Sequence, residues 1–183
     1  MMGEPMDPVS MFERAATNAA SMVEQVRPEQ RSAPTPCDQW DVDALIVHMA
    51  GGTAYLGAAL GLATEPADIE ITMYGDAVTG CVAALRIPGA LERRCMSPAG
   101  FEWSVAEATA GTAMDQLVHT WDLAVAIGGD RHLDPELVDS VVAMFLPQMP
   151  EIGRTAGLVG PEVLVSHDAS PQDRLLAAMG RQP

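Results

Sequence analysis

Ser104–Ile127, SVAEATAGTAMDQLVHTWDLAVAI, reads as one long helix, and the way it must be buried decides the fold. On a wheel at about 100° per residue, Met114, Leu117, Val118, Trp121 and Val125 share one side, while Val105, Thr112, Leu123 and Ile127 lie opposite. A helix that is apolar nearly all round belongs inside a core. Gly128-Gly129 then supplies its C-terminal stop. Asp115, His119 and Asp122 nevertheless fall together in one narrow sector. A buried carboxylate costs several kcal/mol unless it is paired or bound to a metal, so this sector must face something polar.

A buried helix needs others around it, and the flanking sequence supplies them. A first helix runs from about Pro8 to Arg27, with Phe12, Ala15, Ala19, Met22, Val23 and Val26 on one apolar face. Pro28, Pro34 and Pro36 force an irregular connection to a second helix that starts near Asp41, an N-cap residue. That helix carries Val42, Leu45, Ile46, Met49, Leu56 and Leu60 on one stripe, and Gly51-Gly52 within it predicts a kink or a close helix–helix approach. A third helix covers Ile69 to Arg86, with Tyr74, Ala77, Val78, Cys81, Val82 and Leu85 facing inward. Residues 93–103 read as extended, with Ser97-Pro98-Ala99-Gly100 as the turn of a short hairpin.

Beyond the long helix, Asp134-Pro135 opens a fifth that Pro147 ends. Residues 148–169 read as irregular, with an extended Val163-Leu164-Val165. Ser170-Pro171-Gln172-Asp173 resembles a capping box that opens a last short helix, closed by Gly180. The fold expected is all-α: a four-helix bundle with additional short C-terminal helices, in one domain over residues 1–183.

Composition narrows the function. The formal net charge is −15, and the ten basic residues are scattered, so no stripe exists to neutralise phosphates and no nucleic-acid partner is expected. Cys37, Cys81 and Cys95 are odd in number and lack C-x-x-C spacing, which argues against a disulfide framework or a thiolate zinc knuckle. The apolar stretches are too short to span a membrane, and Met1–Pro8 has no signal-peptide pattern, so a cytoplasmic protein is expected.

Asp115 and His119, four residues apart, stack on one helix face, the spacing by which a helix offers two ligands to one ion. A third ligand must come from elsewhere. His48 sits on a flank of the second helix with Gly52 and Tyr55; His132, past the glycine break, and His167, in the irregular tail, are poorer candidates. On its own a D-x-x-x-H pattern is more often a structural ion pair. Asp122 suits pairing with an arginine better than ligation. Trp40, Trp103, Trp121 and Cys37 read most simply as core or rim residues.

Three segments carry a family resemblance. Pro36–His48, PCDQWDVDALIVH, resembles the P-C-x-x-W-x-V-x-x-L-x-x-H segment of actinobacterial metal-binding proteins related to mycothiol-dependent maleylpyruvate isomerase. Asp115–Ala124, DQLVHTWDLA, resembles that family's second motif, and Asp168–Leu176, DASPQDRLL, is similar to the ending of its shorter members. The resemblance implies a DinB-like four-helix bundle and a divalent metal, usually zinc, held by two histidines and a carboxylate. Those roles fall on His48, Asp115 and His119, with Asp122 behind them as an orienting residue. The same donors suit iron, manganese or nickel. The isomerase has glutamate where this chain has Asp115, one methylene shorter, and it carries a further C-terminal domain for which 183 residues leave no room.

Such a ligand set leaves coordination positions open, as catalytic zinc sites do. The function expected is transfer or isomerisation dependent on a low-molecular-weight thiol, mycothiol by resemblance. A non-catalytic metal-binding or interaction protein is the first alternative. Metal-dependent hydrolysis with Asp122 as the nearby base is the second. A small-molecule thiol or substrate and a second copy of the chain are the expected partners.

Overall fold

The computed structural model describes residues 6–38, 40–62, 74–147 and 149–183. Helix α1 spans Pro8–Val23, started by Asp7, whose carboxylate accepts from the Val9 and Ser10 amides, and by Pro8 at the first helical position. It stops four residues short of the expected end, and Arg27, the residue before Pro28, is extended, as a residue before proline favours. The chain turns there into a short 3-10 helix, Pro28–Gln30. Helix α2 spans Val42–Ala59, capped by Asp41 on the Ala44 amide. Helix α3 spans Tyr74–Leu85; the expected start at Ile69 lies outside the described residues. Strands β1, Arg94–Met96, and β2, Glu102–Ser104, pair antiparallel with Cys95 opposite Trp103, and Gly100 turns the hairpin at φ +86.

Helix α4, Val105–Ile127, is the central element. Ser104 and Glu107 form a reciprocal capping box at its start, and Gly128 closes it in the left-handed conformation at φ +70. Nearly every side of it is buried, as its wheel requires. Helices α1 and α2 each pack on both α3 and α4, which sets a four-helix ring with α4 contacting both neighbours along its length. Phe12 and Met11 of α1, Leu45 and Met49 of α2, Leu85 of α3, and Leu117 and Leu123 of α4 are fully buried in the common core.

The close approach expected at the glycine pair is made by Gly52. A Cβ there would lie 3.4 Å from Thr112 Cγ2 and 3.4 Å from Gln116 Nε2, both on α4, whereas Gly51 faces open space. Immediately beside it Gln116, fully buried, donates to the Met49 carbonyl at 2.7 Å and accepts from the Tyr74 hydroxyl at 2.5 Å. These bonds tie α2, α3 and α4 together one turn from His48.

Helix α5, Pro135–Phe145, begins at Asp134 and Pro135 as expected and packs on α1. One expectation for the C-terminal third needs correction. Residues 149–155 form a short helix, α6, inside the segment read as irregular. Pro150 and Gly153 give it little intrinsic propensity, and tertiary contact overrides that: Val159 folds back against Gly153, where a Cβ would clash, and its amide donates to the Gly153 carbonyl. Val163–Val165 forms no strand; Leu164 is 95% exposed. Helix α7, Pro171–Ala178, is capped by Ser170 on the Asp173 amide and packs on α5. No helix among the described residues is long and apolar enough to cross a membrane.

Candidate metal centre

Helix α4 carries Asp115, His119 and Asp122 at i, i+4 and i+7, so all three project from one stripe. Helix α2 brings His48 to the same place. His48 Nε2 lies 3.1 Å from Asp115 Oδ1, and His119 Nε2 lies 3.4 Å from that same oxygen. The two imidazole rings meet edge-on, their centroids 4.8 Å apart. His48 and Asp115 are about one-third exposed, at 36% and 32%, while His119 is 8% exposed and Asp122 not at all. The cluster therefore has an outer edge open to solvent and an inner edge sealed in the bundle. His132 and His167 stand apart at the surface, each beside a neighbouring aspartate.

The inner edge orients the ligands. Asp122 Oδ2 sits 2.8 Å from His119 Nδ1. With Asp122 ionised, Nδ1 must donate, which leaves the Nε2 lone pair of the neutral ring facing Asp115 and His48. Burial would raise the Asp122 carboxyl, but His119 and Arg181 hold it below the usual carboxylate range. Burial likewise opposes ionisation of Asp115, and the two imidazoles, His119 foremost, outweigh it and hold that carboxyl far below its ordinary value. For His119, burial pushes down, yet Asp115, then Asp122 and Cys37, raise it well above the ordinary 6.5.

Residues that read from sequence as packing complete the site. The loop before α2 is wound by Thr35, whose hydroxyl donates to the Trp40 carbonyl at 2.8 Å and accepts from the Cys37 amide at 3.1 Å. That places the Trp40 ring in a stack on His48, centroids 4.5 Å apart, and 5.7 Å from His119. Trp40 is thus a wall of the site rather than only a rim anchor. Cys37, half-buried, puts its Sγ 3.3 Å from Asp122 Oδ2 and 3.9 Å from His119 Nδ1. Arg181 reaches in from beyond α7 and pairs with Asp122 at 2.7 Å. Cys37 and Trp40 lie in the same quoted segment as His48, which was a usable signal. Arg181 had none beyond the need of a buried carboxylate for a cation.

The donor atoms fit a divalent ion. Bonds of about 2.0–2.1 Å in a tetrahedral arrangement set neighbouring ligand atoms about 3.3 Å apart, and the contacts at 3.1 and 3.4 Å match that spacing. The Asp122–His119 bond is the carboxylate–histidine pair that accompanies metal-ligating histidines. The shorter Asp115 still reaches both imidazoles where Gly52 of α2 faces α4; a Cβ there would stand 3.8 Å from Asp115 Oδ2, an ordinary contact.

Comparison with known proteins agrees with this architecture. The model of the mycothiol maleylpyruvate isomerase N-terminal domain, a DinB-like helical family, matches residues 12–94. Two uncharacterised proteins of Mycobacterium tuberculosis, from strains CDC 1551 / Oshkosh and ATCC 25618 / H37Rv, are each 29% identical over 180 residues, covering 96% of this chain and 98% of the relative. No solved structure matches the chain. The matched stretch contains α2 and His48 and ends before α4. By its helical bundle and by this match, residues 12–94 of the chain are similar to the mycothiol maleylpyruvate isomerase N-terminal domain.

Proposed function

We propose that this chain binds one divalent metal ion, zinc first among the candidates, through His48 Nε2, Asp115 Oδ1 and His119 Nε2, and uses it to activate a low-molecular-weight thiol such as mycothiol for transfer or isomerisation. The observation that carries the metal reading is the Asp122–His119 bond at 2.8 Å from a fully buried carboxylate, which aims His119 Nε2 at the other two donors. The thiol reading is supported by the family match and by the exposure of His48 and Asp115, which leaves the outer edge reachable by an external ligand.

When bound, the cation would supply Lewis acidity that favours the ionised form of a thiol approaching the open edge. The protein's own groups do the rest. Trp40 holds His48 by stacking and screens one side of the centre from water. Asp122 stabilises positive charge on the His119 ring and fixes its tautomer. The Gln116 bonds to Met49 and Tyr74 keep α2 and α4 from sliding, so the donor spacing is preset. Hydrolysis loses its base: Asp122 is fully buried and already shared between His119 and Arg181, so it cannot take a proton from water at the open edge.

Elemental analysis of wild type against His119→Ala tests the metal reading. Wild type is expected to carry about one equivalent of metal and the variant almost none; equal metal content in both would refute it. Calorimetric titration of the metal-loaded protein with mycothiol then tests the thiol step, and absence of saturable binding leaves a metal-binding protein without that chemistry.

A further inference from the structure

A second set of donors lies on the inner side of His119. Cys37 Sγ, His119 Nδ1 and an Asp122 oxygen are all within 4.8 Å of one another. Thiolate, imidazole and carboxylate together are a donor set that zinc accepts readily. An arginine already occupies this position. Arg181 Nη2 donates to Asp122 Oδ2 at 2.7 Å and to Cys37 Sγ at 3.2 Å, and its Nε donates to Asp122 Oδ1 at 3.2 Å. A guanidinium and a divalent cation cannot share these lone pairs, since like charges so close repel strongly in a buried site.

The chain is built to deliver this side chain. Gly180 turns at φ +83, and a Cβ there would stand 3.1 Å from Gly160 Cα and 3.1 Å from the Pro161 carbonyl oxygen. The Arg181 amide bonds back to the Leu176 carbonyl at 2.8 Å, and its Nη1 bonds the Met179 carbonyl at 2.8 Å. The result is an arginine side chain only 13% exposed, against a carboxylate with no exposure. Burying both charges carries a desolvation cost that a surface pair would avoid.

We infer that Arg181 is the resident cation of this inner triad. By holding Asp122 it keeps Asp122 accepting from His119 Nδ1–H, and by covering Cys37 and Asp122 it confines a divalent ion to the outer donors His48, Asp115 and His119. Arg181 is a positioning residue that acts through Asp122. The inference rests on the metal reading proposed above and deepens it.

Cobalt(II) is the probe, titrated optically and by calorimetry into metal-stripped wild type, R181Q, R181K and the double variant C37S/R181Q. Wild type is expected to bind one cobalt with no sulfur-to-cobalt absorbance in the near ultraviolet. R181Q is expected to bind about 10- to 100-fold more weakly at the outer donors and to gain a sulfur-to-cobalt band that the added Cys37→Ser change removes. R181K, whose compact ammonium cannot bridge Asp122 and Cys37 at once, should show an intermediate loss without the band. A purely structural role for Arg181 would lower the melting temperature and leave the band absent. R181Q with wild-type affinity and no band overturns the inference while the metal reading stands. A wild type that takes up no cobalt overturns both. Where R181Q does not fold, unchanged affinity in R181K, or a sulfur band in wild type, overturns it equally.

Discussion

Asp122 Oδ2 is within hydrogen-bonding distance of His119, Arg181 and Cys37 at once, so a proton gained or lost at His119 is felt by the rest. His119 is where this becomes measurable. Despite its burial, Asp115, Asp122 and Cys37 raise its pKa well above 6.5. A proton and a metal ion compete for the same Nε2 lone pair, so below that raised pKa apparent metal affinity should fall by about tenfold per pH unit. Zinc is expected to bind more weakly at pH 6 than at pH 8. Calorimetry in two buffers of different ionisation heat should find close to one proton released per zinc near neutrality, and a flat affinity over that range would contradict the assignment. Metal-stripped protein should show the opposite sign. A raised histidine pKa contributes stability that is complete below 6.5 and is lost as pH climbs through the folded-state value. Its denaturant midpoint should therefore drop on the alkaline side of neutral.

At the scale of the element, the spacing between α2 and α4 sets the donor geometry, and Gly52 lies in that spacing with room for little more than a methyl group. Its missing Cβ would make ordinary contact at 3.4 Å, so Gly52→Ala should fit, with a small change in stability of either sign. Gly52→Leu has nowhere to go and should cost about 1–3 kcal/mol by overpacking. It should also weaken zinc binding more than its change in melting temperature explains, because it parts His48 from Asp115; zinc affinity that simply tracks stability would rule out a role for this spacing. Helix α4 was legible from residues alone, since Ser104, Glu107 and Gly128 punctuate it and its apolar wheel leaves one anomalous polar sector. The pairing of that sector with His48 was legible only through the quoted family segment, because wheel geometry places His48 on a flank without saying which neighbour it meets. Helix α6 was hidden by Pro150 and Gly153, and Arg181 by the fact that a contact between residues 59 positions apart leaves no periodic trace.

Across the whole molecule a net charge of −15 governs the long-range electrostatics. Surface ion pairs such as Arg86 with Glu13 and Arg14 with Glu136 relieve it locally, and exposed pairs of this kind contribute little each. Raising salt from about 10 mM to about 150 mM shortens the screening length from about 30 Å to about 8 Å. Self-repulsion should fall, so the melting temperature of metal-stripped protein should rise. The same screening weakens the long-range pull on cations, so the association rate of zinc in stopped flow should fall. A shared sign for the two effects would mean that salt acts by something other than screening. The three tryptophans divide the molecule into separate districts: Trp121 in the core, Trp103 bonded to the Tyr55 hydroxyl beside the hairpin, and Trp40 face to face with His48. An excited indole gives up an electron readily to a protonated imidazole stacked on it and emits less. Trp40 therefore works as an optical gauge of a cation arriving beside His48, read against the emission of the other two.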